Sequence, residues 1–362
     1  MPSPSLFIKI KAWIEKPRRI PLSQRIFFVQ QLRVMLKAGI SLSVALKTLQ
    51  QQTTSKGFKT ILADLQEVVE KGNLLSKGLE NYTKVFGELF INMIKAGESS
   101  GKLEDVLNQL FVQMKKDHEI ISKVKSAMIY PAIVIMMMVA IGVLMLIYVI
   151  PTLSGIFEEM NVPLPIATRF LIGSSKFVLS YGVFLVIGLV IFVIGFGRII
   201  SMPTGKRQFH SLLLNLPIVG GIIRKINIAR FCRSLSSLLI TDIPIVQSFE
   251  ITAKVLGNVI YTDALLEAKE KIKKGIGIQE SLSPYFKLFP PVVLQMIIVG
   301  EETGSLDNIL EESAEFYEED VSQTMENLPA IMEPALMIIL GLAVAGMAVA
   351  VISPMYSLGQ AI

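Results

Sequence analysis

The sequence predicts an all-α membrane protein with an internal duplication: two homologous cytoplasmic antiparallel helical bundles plus three transmembrane helices. Three observations carry this prediction. The 362 residues are 52% hydrophobic and 18% charged, with a mean hydropathy of +0.57, whereas a soluble domain has about 25% charged residues. The apolar residues gather in three long uncharged runs. Two stretches of the chain also resemble each other at one fixed shift.

The uncharged runs are Ala127–Phe157, the stretch between Lys176 and Arg198, and everything after Glu333. About 20 apolar helical residues cross a bilayer core, so the spans are placed at 131–151, 177–197 and 334–353. Lys/Arg bias sets their orientation. Lys115, Lys116, Lys123 and Lys125 precede the first span, and Arg198, Lys206 and Arg207 follow the second. Only Arg169 and Lys176 lie between those two spans, and no Lys or Arg follows the third. Cytoplasmic domains are therefore expected at 22–130 and 198–333, an external loop at 152–176 and an external tail at 354–362. The amino terminus is then cytoplasmic and the carboxyl terminus external. Segment 1–21 mixes Lys9, Lys11 and Lys16 with Phe7, Ile8, Ile10, Trp13 and Ile14. It has no apolar h-region and so does not read as a signal peptide. It reads either as a basic amphipathic helix on anionic lipid or as a helix docked on its own domain.

The duplication shows in Gly97-Glu98-Ser-Ser-Gly101-Lys-Leu103 against Gly300-Glu301-Glu-Thr-Gly304-Ser-Leu306, a shift of 203 residues. The same shift carries Lys71-Gly72 onto Lys274-Gly275, Tyr82 onto Tyr285 and Asp117 onto Asp320. It also carries Pro131 onto Pro334 and Pro151 onto Pro354, the prolines that bracket the first and third spans. Both copies show helical spacing, as in Ile61, Leu65, Val68 and Val69. Ser41 suits an N-cap, Pro244 a first turn, and Gly72 and Gly275 helix ends. The last helix of each copy is expected to run on into the membrane, with Tyr130, Pro131, Glu333 and Pro334 at the junctions.

The copies differ in charge. Residues 1–126 carry 20 Lys+Arg and 11 Asp+Glu, a net +9. Residues 198–333 carry 13 and 17, a net −4, with the excess in Glu311, Glu312, Glu315, Glu318, Glu319 and Asp320. Two readings stand: surfaces for different partners, with Glu311, Glu315, Glu318 and Glu319 as a partner-binding stripe, or a merely solvated helix face.

No motif reads as catalytic. Gly97-Glu-Ser99-Ser-Gly101 has the G-x-S-x-G pattern, but helices flank it on both sides and the second copy has Glu302 at the Ser position. Thr204-Gly205-Lys206 lacks the first glycine of a phosphate loop, since Ile200 stands there. One Cys and two His exclude a disulfide within the chain and a Cys/His zinc cage. Cys232 reads as a buried small hydrophobe. Glu98 and Glu301 could join carbonyls around a hard cation, and helix capping explains them as well. No cofactor and no metal is expected. The spans hold no ionisable side chain at mid-depth, which disfavours a small-solute transporter. They do hold the small-residue pairs Gly341, Ala345, Gly346 and Ala350, which favour close helix packing.

These features together resemble the type II secretion F / type IV pilus assembly platform family. The resemblance lies in Lys123-Val-Lys-Ser-Ala-Met-Ile-Tyr130-Pro131, Val149-Ile150-Pro151, Leu216-Pro217-Ile-Val-Gly220, Ala229-Arg230-Phe231-Cys-Arg233, the twin Gly-Glu turns and Glu315-Phe-Tyr-Glu-Glu-Asp320-Val. It covers about residues 22–357. Asp242 departs from the glycine expected by analogy with Gly39, and Met138 from a small residue. The resemblance implies an inner-membrane platform without enzymatic activity of its own. The implied partners are a hexameric assembly ATPase, pilin or pseudopilin subunits, other inner-membrane machine components and membrane lipid. Self-association is expected and nucleic acid is not.

Overall fold

The computed structural model describes residues 20–159 and 166–359. Residues up to 19, 160–165 and 360–362, which fall in the regions read as an amphipathic segment, an external loop and an external tail, lie outside the described residues. The first copy folds as α1 (Leu22–Lys37), α2 (Leu42–Gln52), α3 (Lys56–Glu70), α4 (Leu75–Glu80), α5 (Thr83–Phe86), α6 (Glu88–Ser100) and α7 (Leu103–Leu144). A π-helical turn (Met145–Val149) leads to α8 (Ile150–Glu159), followed by α9 (Ile166–Ser201) and α10 (Pro203–Asn215). The second copy folds as α11 (Val219–Ile240), α12 (Ile245–Val255), α13 (Val259–Ile272), α14 (Ile278–Leu282), α15 (Pro291–Thr303) and α16 (Leu306–Gly359). The repeat is structural to the residue: α2 and α12, α6 and α15, and the starts of α7 and α16 all correspond at the shift of 203. Among the described residues no strand occurs.

α7 and α16 continue without a break from their bundles into the apolar runs, as expected. Three helical stretches are long and apolar enough to cross a membrane: Leu103–Thr152, Thr168–Ser201 and Leu306–Val349. The region read as a 152–176 loop is mostly helix, because α8 reaches Glu159 and α9 begins at Ile166. Pro354 does not end the third helix, which runs on to Gly359.

Contacts divide the chain into two compact units. The first comprises the chain up to Ile121 with His210–Val321, and so contains both bundles. The second comprises Ser122–Phe209 with Ser322–Ile362. The copies do not stand apart as separate bundles. Leu238, Ile243 and Ile251 of the second copy belong to the core formed by Phe28, Leu32, Leu46, Ile61, Leu65 and Leu79 of the first. The centre of this unit is α11, buried almost continuously from Asn227 to Leu238. It has no solvent face, which is why its apolar pattern shows no amphipathic stripe.

Five helices end in the same left-handed turn, one of them at Gly304, where the N–H of Ser305 donates to Gly300 O. The N–H of Ile40 donates to Met35 O, and the N–H groups of Asn73, Ile243 and Ile276 donate likewise to Val68, Leu238 and Lys271. Gly39, Gly72, Gly275 and Gly304 supply the positive φ, and at the remaining site Asp242 adopts φ 59°. The turn that this departure put in question is therefore kept, at the cost of a side chain in left-handed space. Asp242 gains an exposed ion pair with Lys102 at 3.5 Å, a contact of small worth. Asp242→Gly should therefore stabilise the fold by about 1 kcal/mol, read as a raised thermal midpoint. Ser41 and Pro244 both occupy N-caps with ψ near 145°. Pro244 thus stands one place before the expected first turn, and Ser41 makes no side-chain cap bond.

In the second unit, Pro151 explains the π turn. The N–H of Ile150 bonds back five residues, to Met145 O. In that register the next acceptor is Leu146 O, and Pro151 has no N–H to offer it. The Ser175 hydroxyl, on α9, donates to Leu146 O instead. An orphaned carbonyl at membrane depth is costly, so Ser175→Ala should destabilise by about 0.6–1.7 kcal/mol. Unfolding in bicelles, with Ser174→Ala as control, measures it.

Candidate functional site

The twin Gly-Glu turns are built alike. Gly101 and Gly304 end α6 and α15 at φ 71° and 67°. A Cβ on Gly97 would lie 2.8 Å from Val106 Cγ2, and one on Gly300 2.9 Å from Leu306 Cα. Both glycines therefore let the next helix start against the end of the last. Glu98 accepts from the N–H groups of Leu75 at 2.5 Å and Ser76 at 3.0 Å. Glu301 accepts from Ile278 at 2.7 Å and Gln279 at 3.2 Å, the same positions one repeat on. Each carboxylate thus caps the open N–H groups of a short helix, α4 or α14. The cation reading of these turns gives way to capping, because both oxygens of each Glu face N–H donors rather than oxygen ligands. Ser99, the would-be nucleophile, sits inside α6 and donates to Lys95 O at 2.8 Å. Tyr82 and Tyr285 repeat a further contact, donating to Asp64 and Glu267.

The acidic stripe is in large part internal. Arg233 of α11 is 3% exposed. Its Nε and Nη2 donate to the two Glu318 oxygens at 2.8 and 2.9 Å, and its Nη1 to Glu311 at 3.3 Å. Glu315 stands 4.0 Å away. Burial lowers the Arg233 pKa, but the hydrogen bonds and charge of Glu318, then Glu311 and Glu315, outweigh it and raise the pKa overall. Glu318 is itself buried, so its place on a partner-binding stripe is a misreading. Three acids one helical turn apart close on one arginine. Glu315 keeps an exposed side chain, and Glu312 and Glu319 are exposed.

Ion pairs of both senses join the two copies. Asp117 accepts from Arg230 at 2.9 Å, Lys116 pairs with Glu318 at 3.5 Å and Lys254 with Glu88 at 2.8 Å. Lys123 and Glu326, equivalent positions in the repeat, pair at 3.1 Å in the second unit. Asp117 and Asp320, also equivalent, each hold a cation of α11, namely Arg230 and Lys225. Burial raises the Asp117 pKa, and the charge and hydrogen bond of Arg230 oppose it. Between them the buried Gln113 side chain bonds Ser234 at 3.3 Å and Ser237 at 3.4 Å. Sequence inspection missed Arg230, Arg233 and Gln113 as joining residues. The available signal was the pair of arginines in the stretch 228–240, which is otherwise made of apolar and small residues.

At the junctions, Pro131 is buried inside α7, while Tyr130, Glu333 and Pro334 are exposed. The Leu216–Gly220 motif has a local cause. Val219 N–H bonds Pro217 O at 2.8 Å, which forces Ile218 to φ 66°. A Cβ on Gly220 would lie 2.3 Å from Leu214 O. Gly205, next to the supposed phosphate-loop lysine, serves a similar close approach, to Ile199 O. Cys232 is buried, and burial pushes its thiol up to about 12, so it is inert as a nucleophile. Among the described residues no three His, Cys, Asp or Glu side chains cluster as metal ligands.

The chain matches the family described as type II secretion system (T2SS), protein F, twice, over residues 28–151 and 231–354. Both bounds differ by the repeat shift. It is 36% identical over 323 residues to the type IV pilus assembly protein PilC of Thermus thermophilus, covering 89% of this chain and 79% of that one. It is 34% identical over 335 residues to the PilC of Myxococcus xanthus, covering 92% and 80%. It is 31% identical over 342 residues to the type II secretion system protein F of Aeromonas hydrophila, covering 93% and 87%. Two matches in register with the fold's own duplication, and relatives that align along nearly the whole chain, make this protein a member of the type II secretion system protein F family.

Proposed function

We propose that the protein is the inner-membrane platform of a type IV pilus or type II secretion-like machine. In this reading it couples a cytoplasmic hexameric assembly ATPase to the addition of pilin or pseudopilin subunits. The observation that carries the reading is the double family match, each half of which ends in a helix that continues from a polar bundle into an apolar span. The ATPase is assigned to the bundle unit and the subunits to the spans. Further partners are other inner-membrane components, surrounding lipid and a second copy of the chain. Lys/Arg bias supports a cytoplasmic amino terminus and an external carboxyl terminus. The protein carries no catalysis of its own in this scheme, since nucleotide hydrolysis belongs to the ATPase. Small-solute transport has no comparable support, because the spans lack polar side chains of the kind a substrate path needs.

Deleting the gene should abolish filaments or filament-dependent secretion while subunits still accumulate in the membrane, and the intact gene should restore assembly. Normal filaments and secretion in the deletion strain would refute the proposal. Cysteine accessibility at positions 165 and 204, in a Cys232→Ala background, tests the orientation. Residue 165 should label from outside and residue 204 only after permeabilisation.

A further inference from the structure

In the bundle unit a cavity of about 480 Å³ opens between the copies, with α1, α6 and α7 on one side and α11 and α12 on the other. Its volume is in the range of small-ligand sites. Most of its wall is apolar, and three cations reach it: Arg25, Arg230 and Lys254. Two of these are paired, Arg230 with Asp117 at 2.9 Å and Lys254 with Glu88 at 2.8 Å. Arg25 is different. Its Nη1 donates to Val85 O at 2.5 Å, and its buried Nε has no partner. Burial lowers its pKa and no acid offsets this. A half-buried guanidinium without an anion is a net cost to the fold.

The repeat shows that the fold does not need this charge. One copy on, the position of Arg25 is Ile228 and that of Met114 is Tyr317, and both are buried in the core. The second copy packs with apolar side chains what the first leaves open beside an unpaired cation. A site that breaks the local rule in one copy only is a site retained for another use.

We propose that this cavity binds a small soluble amphipathic anion, whose carboxylate or phosphate group rests on the Arg25 guanidinium and whose apolar body lies against Phe86, Phe90 and Met114. The anion would complete the acceptor set of Arg25 as a charge-assisted pair. The cavity is too small for the paired acyl chains of a lipid beside its head, which favours a free molecule. Occupied, it would fasten the two copies to each other. This goes beyond the platform role and does not depend on it.

Calorimetric titration of the full chain in detergent tests the site, with phenyl phosphate and phenylacetate as anionic probes. Phenylacetamide serves as the neutral probe and inorganic phosphate as the anion without an apolar body. The anionic aromatic probes should bind saturably, and the other two at least about tenfold more weakly. Arg25→Gln removes the charge, and Met114→Trp fills the cavity with Arg25 left in place. Each should weaken phenyl phosphate binding at least about tenfold, with the ligand-free melting midpoint reported for both. No saturable binding of either anionic aromatic probe, or full binding retained in either variant, would overturn the proposal.

Discussion

Glu318→Ala should lower the folding stability of the bundle unit by about 3–5 kcal/mol, the loss expected when one partner of a buried ion pair is removed. A glutamate in a run of acids on a long helix would ordinarily cost almost nothing. Here the carboxylate receives two hydrogen bonds from Arg233, and both side chains are buried. Without it, Arg233 keeps only the 3.3 Å bond to Glu311 and the distant Glu315. The double variant Arg233→Met with Glu318→Leu should recover most of the loss, because well-packed apolar residues often replace a buried pair without penalty. Thermal or denaturant unfolding of the full chain gives both values. Glu312→Ala, on an exposed residue of the same helix, is the control and should stay within about 0.5 kcal/mol. A small effect of Glu318→Ala would return Glu318 to the partner-binding stripe.

Gly300→Ala should destabilise by about 1–3 kcal/mol through overpacking, although helix propensity alone favours alanine over glycine by about 1 kcal/mol. The sign of the measured change decides between the two effects. Packing wins because the new Cβ would meet Leu306 at both Cα and Cδ1, each 2.9 Å away. A backbone atom cannot turn aside as a flexible side-chain end can, so the start of α16 must move. Gly97→Ala meets mainly Val106 side-chain atoms, at 2.8 and 3.0 Å, with Leu103 Cα at 3.2 Å. It should therefore cost less than Gly300→Ala. Equal stabilisation by the two substitutions would show that the turns are not held by this contact.

Much of the architecture was legible in the sequence because its signals are local or periodic. A charge-free run of helical length announces a span, and an ungapped shift announces a duplication. The turn glycines could be read singly, since positive φ and close backbone approach both favour glycine. What the sequence hid was packing between distant segments. Glu311, Glu315 and Glu318 share a helix face whether that face meets water or an arginine about 80 residues away, and spacing cannot distinguish the two. The +9 and −4 of the copies invited a reading in terms of partners outside the chain. In the fold, Lys116 with Glu318 and Lys102 with Asp242 use part of that difference between the copies themselves, whereas Asp117 with Arg230 and Lys254 with Glu88 join the minority charge of each copy. Glu315 and Glu319 keep exposed side chains on that stripe. Asp242 shows the opposite case, in which an unsuitable residue keeps the turn that its repeat partner Gly39 makes.

The two copies form one fastened unit across α7 and α11. A double-mutant cycle on Asp117→Leu and Arg230→Met, read by unfolding of the full chain, tests it most directly. The pair is mostly shielded from solvent, with side chains 26% and 24% exposed. The predicted coupling is about 0.5–3 kcal/mol, the range for contacting residues in one network. It should persist at high salt, since partly buried pairs are screened little. Strict additivity of the two substitutions would show that this pair does not fasten the copies.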